Sequence, residues 1–396
     1  MEEFGVSGRF CVIIKKRVAA QSRELIGSKR RIPLLPSRER TSMYGVHIEK
    51  VNLKNKVERD EVETFLEDFD LVLDRDVDYT LVIRAGEQMT ASKGTPIVAT
   101  CSKAKNVLKC FAVIDELRGE GITSTLVSAL IDQLFSQGIY HYFVFTKPSQ
   151  AHIFSALNFK LIHHNAEVAL LENGIYNISQ KLKEIKKNYN MGDSEKAALV
   201  MNCNPFTLGH QFLIEEASKN NSEVLVFIVE EDKSLFPFET RIELVRQGIG
   251  HLKNVKVIPS GEYIISAATF PSYFLREEGE RLRAYADLDS SIFGKYFCHI
   301  FKIKKRYVGE EPYCTVTKTY NETLKNVLPI YGVELHEIKR KAFGNEAISA
   351  SMVRSLLKLD DIHKLSNLLP EVTLEFLSTS RGREIVENIK RSDSPH

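Results

Sequence analysis

The chain has 396 residues, of which 43% are hydrophobic and 27% are charged, and its formal net charge is +2. This length exceeds what one hydrophobic core usually holds, so we predict two domains joined by a linker. No apolar run approaches the ~20 residues that a membrane-spanning helix needs, which argues against a membrane as partner.

The positive charge is concentrated at the start of the chain. Residues 1–40 contain ten Lys or Arg and four Asp or Glu, a local charge of +6 that leaves −4 for the remainder. We expect 1–42 to be a disordered basic extension or the result of a misplaced start. The segment lacks the long apolar core of a secretory signal, and its acidic residues are untypical of a transit peptide. The mildly acidic remainder argues against nucleic acid as a partner, since proteins that bind phosphate backbones normally carry a basic face.

Six cysteines are spread along the chain without a C-x-x-C pair or a regular framework. This distribution is typical of reduced thiols, and it predicts a cytoplasmic protein without a cysteine-based metal site. The histidines also lack the H-x-x-H or H-E-x-x-H spacing of a zinc site, so we expect no metal held by protein side chains.

Residues 43–178 are predicted to form a mixed α/β domain. β-rich runs at 80–83, 97–100 and 107–114 precede a helix whose leucines recur every four positions. A glycine-containing turn, Arg118–Thr123, opens that helix and offers backbone N–H groups to a phosphate. The order of elements and the turn resemble the GNAT acetyltransferase superfamily, whose R/Q-x-x-G-x-G/A loop holds the pyrophosphate of coenzyme A.

The resemblance of the turn to the coenzyme A-binding loop of this superfamily implies a docking site for a coenzyme A-like arm. Arg118 and Gly121 match the superfamily pattern, Gly119 lies between them, and Thr123 replaces the final small residue. The resemblance predicts the fold more strongly than the binding, because simple packing of a helix on a strand would explain the same turn. Whether the domain binds a CoA-type ligand is left open.

A polar linker is predicted over 179–194, which is dense in Lys, Asn and Glu and contains a helix breaker at 190–193. The second domain, 195–380, begins with an apolar strand, a helix and another strand at 223–229. This βαβ order predicts a Rossmann-like parallel sheet with its ligand at the carboxyl ends of the strands. A C-terminal helical segment completes the domain, and 381–396 is expected to be a flexible tail.

The first strand of the second domain leads into the motif M-N-C-N-P-F-T-L-G-H, which ends at His210. Thr207 and His210 are predicted to lie at a helix start, where free N–H groups and the positive end of the helix dipole favour a phosphate. Gly209 is expected to leave room for a ligand to approach the backbone. Together with a second motif downstream, this motif predicts one ATP site, to which Asn202, Cys203, Asn204, Pro205 and Phe206 are also assigned.

A second motif, I-S-A-S-M-V-R, ends far downstream at Arg354. Ser349 is a candidate N-cap, and Arg354 lies in the first turns of the following helix, where it can make a bidentate contact with a polyphosphate. Ser351 is predicted to contact the same phosphates. Gly309 and Glu310, just past a predicted strand, are assigned to the ribose or adenine.

The T-x-G-H and I-S-x-S-x-x-R pair resembles the nucleotidyltransferase superfamily. The blocks N-P-F-T-x-G-H, F-P-F-E-T-R, E-Y-I-I-S-x-A-T-F-P-x-Y-F and Y-V-G-x-E-P-Y-C are similar to the citrate lyase ligase family, over about residues 44–377. This resemblance implies an AMP-forming acid–thiol ligase that acetylates the prosthetic-group thiol of the citrate lyase acyl carrier subunit through an acetyl-adenylate. It also implies ATP and Mg²⁺ as cofactors, and acetate and the carrier with its CoA-like group as partners.

The implied reaction assigns roles to individual residues. Thr207, His210 and Arg354 are the expected catalytic residues, with His210 donating a hydrogen bond as charge builds on the departing phosphate. Acetate needs no general base, because its carboxyl pKa is near ~4. Mg²⁺ is expected to bridge phosphate oxygens. The group that activates the thiol stays open among His210, Arg241 and Arg276.

Two other functions stay open at this point. An adenylyltransferase that acts on a phosphopantetheine-like phosphate would use the same scaffold and would consume no carrier thiol. A non-catalytic nucleotide-binding protein would keep both anion-binding motifs without turnover, although an intact motif pair argues against it.

Overall fold

The computed structural model describes residues 47–85, 95–230, 234–266, 269–270, 279–344 and 346–392. The basic extension predicted over 1–42 lies outside these residues. Two large β-sheets occur in the described part of the chain, and both belong to one compact unit. The sheets fall within the two segments for which separate domains were predicted, while the bounds of those domains stay predictions.

The first sheet is a mixed sheet of seven strands. Its strands are β1 (Ile48–Lys50), β2 (Tyr79–Arg84), β3 (Ile97–Ala104), β4 (Val107–Val113), β5 (His141–Thr146), β6 (Lys160–His164) and β7 (Ala169–Gly174). They lie in the order β1-β2-β3-β4-β5-β7-β6, with β4 and β5 parallel and the other neighbours antiparallel. The β4–β5 ladder joins Val107 to Phe143 and Leu108 to Val144, and the two strands separate beyond it. The predicted GNAT-like mixed α/β fold is confirmed.

Helices cover both faces of this sheet. They are α1 (Lys56–Glu67), α2 (Ile122–Ser136) and α3 (Ala151–Ser155). Successive strand residues point to opposite faces, so Tyr142 and Val144 pack with the leucines of α2, whereas Phe143 points the other way. On that other face, Val62 and Phe65 of α1 cover the β2–β4 region. The β5–β7 region of the same face is left for the second half of the chain.

The segment predicted as a linker begins with a helix, α4 (Ile178–Asn188). Asn177 and Gln180 form a capping box, each side chain accepting from the other residue's backbone N–H. Ile178 and Leu182 are buried. The Lys- and Glu-rich composition that suggested an unstructured connection therefore belongs to the exposed face of an amphipathic helix.

The second sheet is fully parallel. Its strands are β8 (Lys196–Met201), β9 (Val224–Ile228), β10 (Val255–Pro259), β11 (Ile303–Gly309) and β12 (Glu334–Ile338). They lie in the order β10-β9-β8-β11-β12. The chain moves outward from β8 in one direction and then returns to its other side, so a crevice opens between the carboxyl ends of β8 and β11. The predicted Rossmann-like sheet is confirmed.

Helices flank the second sheet and form a C-terminal helical segment. They are α5 (Leu208–Lys219), α6 (Phe238–Gly248), α7 (Glu280–Ile292), a π-helical turn (Phe293–Cys298), α8 (His299–Phe301), α9 (Thr315–Val327), α10 (Ala350–Lys358), α11 (Glu371–Ser378) and α12 (Ser380–Arg391), with a small hairpin of β13 (Ala342–Phe343) and β14 (Glu346–Ala347) before α10. Within the described ranges, no helix combines the length and apolarity needed to cross a bilayer.

Helix α12 corrects one prediction, because a flexible tail was expected over 381–396. Ile385 and Ile389, one helical turn apart, are buried in the same cluster as Val353 and Leu357 of α10. This apolar contact holds the segment in place. The many charged residues around the two isoleucines concealed the helical spacing in the sequence.

One hydrophobic core is shared by the two halves of the chain. It contains Phe143 of β5, Leu182 of α4, Phe227 of β9 and Phe293 of the π-helical turn. The face of the first sheet that its own helices leave open is therefore covered by the second half. Burial of this surface couples the stability of the two halves.

A buried hydrogen-bond network crosses the same junction. The Tyr263 hydroxyl donates to Glu172 Oε2 over 2.7 Å and lies 2.9 Å from His141 Nε2. Burial lowers the pKa of His141 to about 4, so the imidazole is neutral and its Nε2–H donates to the tyrosine oxygen. Beside them, the Tyr176 hydroxyl donates to Glu262 Oε2 over 2.9 Å. Two consecutive residues of the E-Y-I-I-S block thus bond to the first half.

We expect Tyr263→Phe to lower the free energy of unfolding by about 1–3 kcal/mol, because the change leaves Glu172 and His141 buried without their shared partner. Urea unfolding monitored by circular dichroism measures the loss. Tyr140→Phe is the matched control, since Tyr140 is 50% exposed. Equal stability of the two variants would contradict a stabilising role for the network.

Candidate active site

A cavity of about 510 Å³ lies at the carboxyl ends of β8 and β11. This volume is in the range of small-molecule sites. The two sequence motifs, far apart along the chain, meet in its walls. The predicted site residues that line it are Asn202, Cys203, Asn204, Thr207, Gly209, His210, Gly309, Ser349, Ser351 and Arg354.

Thr207 and His210 close the first turn of α5. Thr207 is the N-cap, and its Oγ1 accepts from the backbone N–H of His210 over 3.4 Å. In return, His210 Nδ1 accepts from the Thr207 backbone N–H over 3.1 Å. Because Nδ1 is an acceptor, a neutral imidazole carries its proton on Nε2. His210 is therefore a hydrogen-bond donor through Nε2.

The surroundings keep His210 uncharged. Burial, followed by the charges of Arg340 and Arg354, lowers the His210 pKa to about 3. The ring also stacks on Phe206, with centroids 6.2 Å apart and planes inclined by 17°. A neutral, oriented imidazole can donate one directed hydrogen bond to a phosphate oxygen, as predicted, but it does not contribute a full positive charge.

Ser349 is the N-cap of α10, as predicted. Its Oγ accepts from the Met352 backbone N–H over 3.1 Å and lies 3.0 Å from Ser351 Oγ. Arg354, on the next turn, donates through Nη1 to the carbonyl oxygen of Asn204. The N-terminal turns of α5 and α10 therefore face one cavity, and Arg354 ties the second motif to the first.

Gly209 permits a close approach between the two motifs. A Cβ at this position would lie 2.9 Å from the carbonyl oxygen of Ile348. The backbone of the second motif therefore packs against this glycine, while the approach of a ligand stays a prediction. Gly209 lets α5 and the start of α10 come together, and in this way it builds the cavity between them.

Three predicted ATP contacts do not line the cavity. Pro205 and Phe206 are buried below it, where Phe206 packs in the core beneath α5 and α6. Glu310 is exposed, whereas its neighbour Glu311 lines the cavity. A contact of Glu310 with the ribose or adenine stays a prediction.

Arg241, one of the three candidates for thiol activation, has a structural role. Its side chain is 0% exposed, and it donates to the carbonyl oxygens of Asn202, Val229 and Phe236 over 2.9, 2.7 and 2.9 Å. Arg276, the other predicted arginine, lies outside the described residues. Burial raises the pKa of the cavity-lining Cys203 to about 12, so its thiol is protonated at neutral pH.

The sequence analysis missed two basic residues of the site. Lys339 and Arg340 follow β12 directly and line the cavity. Arg340 donates to the carbonyl oxygen of Glu310 and forms an ion pair with Glu311. A strand prediction over 334–338 would have placed the run K-R-K at the same sheet edge as both motifs, because carboxyl ends of parallel strands meet there.

The turn predicted to dock a CoA-like arm has the expected loop-to-helix shape. Gly119 and Gly121 have φ values of 86° and 79°, and Gly121 caps α2 without a side-chain hydrogen bond. Thr123 lies in the first turn of α2. Arg118 is exposed and pairs with Asp115 over 2.9 Å. The first N–H groups of α2 are thus not capped by a side chain of the turn.

Comparison with known proteins identifies the family. Residues 196–377 match the citrate lyase ligase C-terminal domain. The citrate (pro-3S)-lyase ligase of Escherichia coli K12 is 34% identical over 323 residues, which cover 80% of this chain and 89% of that protein. The chain belongs to the citrate lyase ligase family. The Klebsiella pneumoniae ligase of this family is 33% identical over 330 residues, covering 82% of this chain and 94% of that protein.

A more distant relative represents the adenylyltransferase alternative. The phosphopantetheine adenylyltransferase of Heliobacterium modesticaldum is 30% identical over 92 residues, which are 22% of this chain and 51% of that protein. The citrate lyase ligases, by contrast, match 80% and 82% of this chain. The family predicted from the motifs is therefore confirmed.

The neutral His210 makes the folding stability of this member of the citrate lyase ligase family sensitive to acid. Its pKa is about 3 in the folded chain and about 6.5 in an unfolded one. Between these values the unfolded chain binds the additional proton, so stability present above pH 6.5 is lost progressively as the pH falls toward 3. From pH 7.5 to 5.0, we expect the wild type to lose roughly 2 kcal/mol more than His210→Asn.

Denaturant titrations at the two pH values measure this difference. The asparagine amide can still accept from the Thr207 N–H, which preserves the cap. His251→Asn is the control, since the His251 side chain is 54% exposed. The prediction fails if His210→Asn shows the same pH dependence as the wild type and the control.

Proposed function

We propose that this protein is an AMP-forming acetate–thiol ligase that activates citrate lyase by acetylating the prosthetic-group thiol of its acyl carrier subunit. The family assignment over most of the chain supports the overall reaction. The observation that carries the proposal at the site is the convergence of T-x-G-H and I-S-x-S-x-x-R in one cavity. Four cationic residues and one acidic residue line that cavity among the described residues, which suits a polyphosphate.

In the first step, a carboxylate oxygen of acetate attacks the α-phosphorus of ATP. The bond between that phosphorus and the bridging oxygen breaks, and pyrophosphate leaves with the electron pair. Thr207 and His210 are assigned to the α-phosphate region, where the Nε2–H of His210 donates to the developing charge. Ser349, Ser351 and Arg354 are assigned to the β- and γ-phosphates, at the N-terminus of α10.

Mg²⁺ is proposed to bind to the phosphates of the nucleotide and not to protein side chains. In the described ranges, no group of three or more His, Cys, Asp or Glu side chains is arranged to hold a metal ion. The donor set around the cavity is mainly hydroxyl, amide and cationic groups, which fit the phosphates better than the metal. The ion would neutralise charge on the phosphate oxygens.

In the second step, the carrier thiol attacks the acyl carbon of acetyl-adenylate. A thioester bond forms, the bond from the acyl carbon to the AMP oxygen breaks, and the thiol proton passes to solvent or to AMP. We assign the pyrophosphate of the CoA-like arm to the turn formed by Arg118, Gly119, Gly121 and Thr123. The uncapped start of α2 supports this assignment.

Exchange of labelled pyrophosphate into ATP tests the first step. The wild type should catalyse exchange that depends on acetate, and phosphopantetheine should not replace acetate. Transfer of labelled acetate to the carrier thiol tests the second step. Exchange with phosphopantetheine and not with acetate would identify an adenylyltransferase, and absence of ATP binding would refute both enzymes.

His210→Ala should lower kcat for acetate-dependent exchange by roughly 10²- to 10³-fold with a smaller change in the Kd for ATP, because the donor acts mainly on charge that develops in the transition state. Stopped assays give kcat, and calorimetry gives the Kd. His251→Ala, at an exposed site, should behave as wild type. Unchanged turnover of His210→Ala would remove His210 from the reaction.

Arg118→Glu should separate the two steps. Acetate-dependent exchange should persist, whereas acetyl transfer to the carrier should fall by roughly tenfold or more, because a negative charge at the start of α2 opposes the pyrophosphate of the arm. Lys54→Glu is the matched charge reversal at another exposed position of the same half. Equal transfer by both variants would show that the turn does not dock the arm. The full chain is used, since the two halves share a core.

A further inference from the structure

A second arginine lies at the inner end of the cavity. Arg306 occupies the middle of β11 and is only 1% exposed, yet it lines the same cavity as both motifs. It lies two residues before Val308, so both point to the face of the sheet that carries the shared core. Arg306 contributes to the positive lining of the cavity, but the roles proposed for His210, Ser349 and Arg354 do not involve it.

Two nitrogens of the Arg306 guanidinium lack partners for their donors. Nε and Nη1 are buried and have no hydrogen-bond partner among the described residues. No described carboxylate forms an ion pair with Arg306. The ring centroid of Phe293 lies 4.8 Å from the Cζ of Arg306. A cation–π contact of this kind does not satisfy N–H donors.

The nearby carboxylate is already engaged. Asp289 is fully buried and belongs to the charges that act on Arg306. Its oxygens accept from the Ile265 backbone N–H over 2.6 Å and from the Tyr320 hydroxyl over 2.8 Å. Buried donors without partners are costly, and in native proteins they mark places where a ligand or water completes the bonding. Because the unpartnered donors belong to a cation, an anionic ligand suits them best.

The surroundings of Arg306 limit the size of that anion. Ile265, Val308 and Val316 line the cavity and are buried in the shared core. Ile265 also has a φ of 45°, which is rare for a β-branched residue and indicates that its neighbours hold it in a strained conformation. Strain of this kind accumulates at binding sites, and here it fixes an apolar wall of the cavity.

We propose that Arg306 binds the carboxylate of the acyl substrate, with the apolar side chains of Ile265 and Val316 against its short alkyl group. The inference rests on the proposed ligase function and adds the subsite for the acid. A single fork of N–H donors in an apolar setting matches one carboxylate with a small tail. The polyphosphate already has two helix N-termini and Arg354 on the open side of the cavity. Arg306 thus holds the acid directly, and the apolar wall sets the acyl-chain preference.

The first test is the acetate dependence of pyrophosphate exchange in Arg306→Lys and Arg306→Gln. The KM for acetate should rise at least tenfold in both variants, while the Kd for ATP measured by calorimetry should change less than threefold. Lys304→Gln removes an exposed charge from the same strand and should leave both constants unchanged. A normal KM for acetate in Arg306→Gln would overturn the proposal, as would a loss confined to ATP affinity.

The second test keeps the arginine and widens the apolar wall. Val316→Ala should raise the ratio of kcat/KM for propionate to that for acetate by about tenfold, as expected when room for one methylene is added. This variant guards against a folding defect in the arginine variants. An unchanged ratio would place the alkyl group elsewhere.

The two proposals fail in different ways. If the wild type shows no acetate-dependent exchange, the ligase function itself is refuted. If the wild type uses acetate and the Arg306 and Val316 variants keep its KM and its preference, the subsite alone is refuted.

Discussion

The buried guanidinium of Arg241 organises the sheet edge on which the site is built. It is shielded from solvent and donates hydrogen bonds to carbonyl oxygens at the ends of β8 and β9 and before α6. Without a central cation, these converging carbonyls would face one another unsatisfied in the interior. Asn204 Oδ1 reinforces the arrangement by accepting from the Phe236 backbone N–H over 3.0 Å. The turn after β8 is thereby fixed, and with it the point at which Thr207 starts α5.

The electrostatics of the cavity explain the protonation state of its histidine. Two helix N-termini and the side chains of Lys339, Arg340 and Arg354 create a positive environment suited to polyphosphate. The same environment, added to burial, keeps His210 neutral. Charge is thus supplied by arginine and lysine, whereas the imidazole supplies direction through a proton fixed on Nε2. Its partner Thr207 and the stacked Phe206 hold that direction.

Local sequence patterns predicted much of the fold and of the site, and what they missed in the site depends on contacts between distant segments. The β8–α5–β9 unit and the caps at Thr207 and Ser349 follow from short-range periodicity and capping chemistry, which a sequence displays directly. Contacts between distant segments are not visible in this way. The carbonyl partners of Arg241, the approach of Ile348 to Gly209 and the burial of Arg306 depend on which strands become neighbours, and β12 had not been predicted.

The block E-Y-I-I-S links the two halves of the chain to the reaction site. At its start, Glu262 accepts from Asn106 Nδ2 over 2.6 Å, and Tyr263 bonds to Glu172, both partners belonging to the first half. Two residues later, Ile265 forms a wall of the cavity and donates to Asp289. Only one residue separates Tyr263 from Ile265. A displacement of the GNAT-like half would therefore be transmitted along this short segment to the cavity wall. If the carrier arm docks on that half, as proposed, its binding energy can reach the acyl subsite by this route, which gives a physical reason for the two folds to share one core.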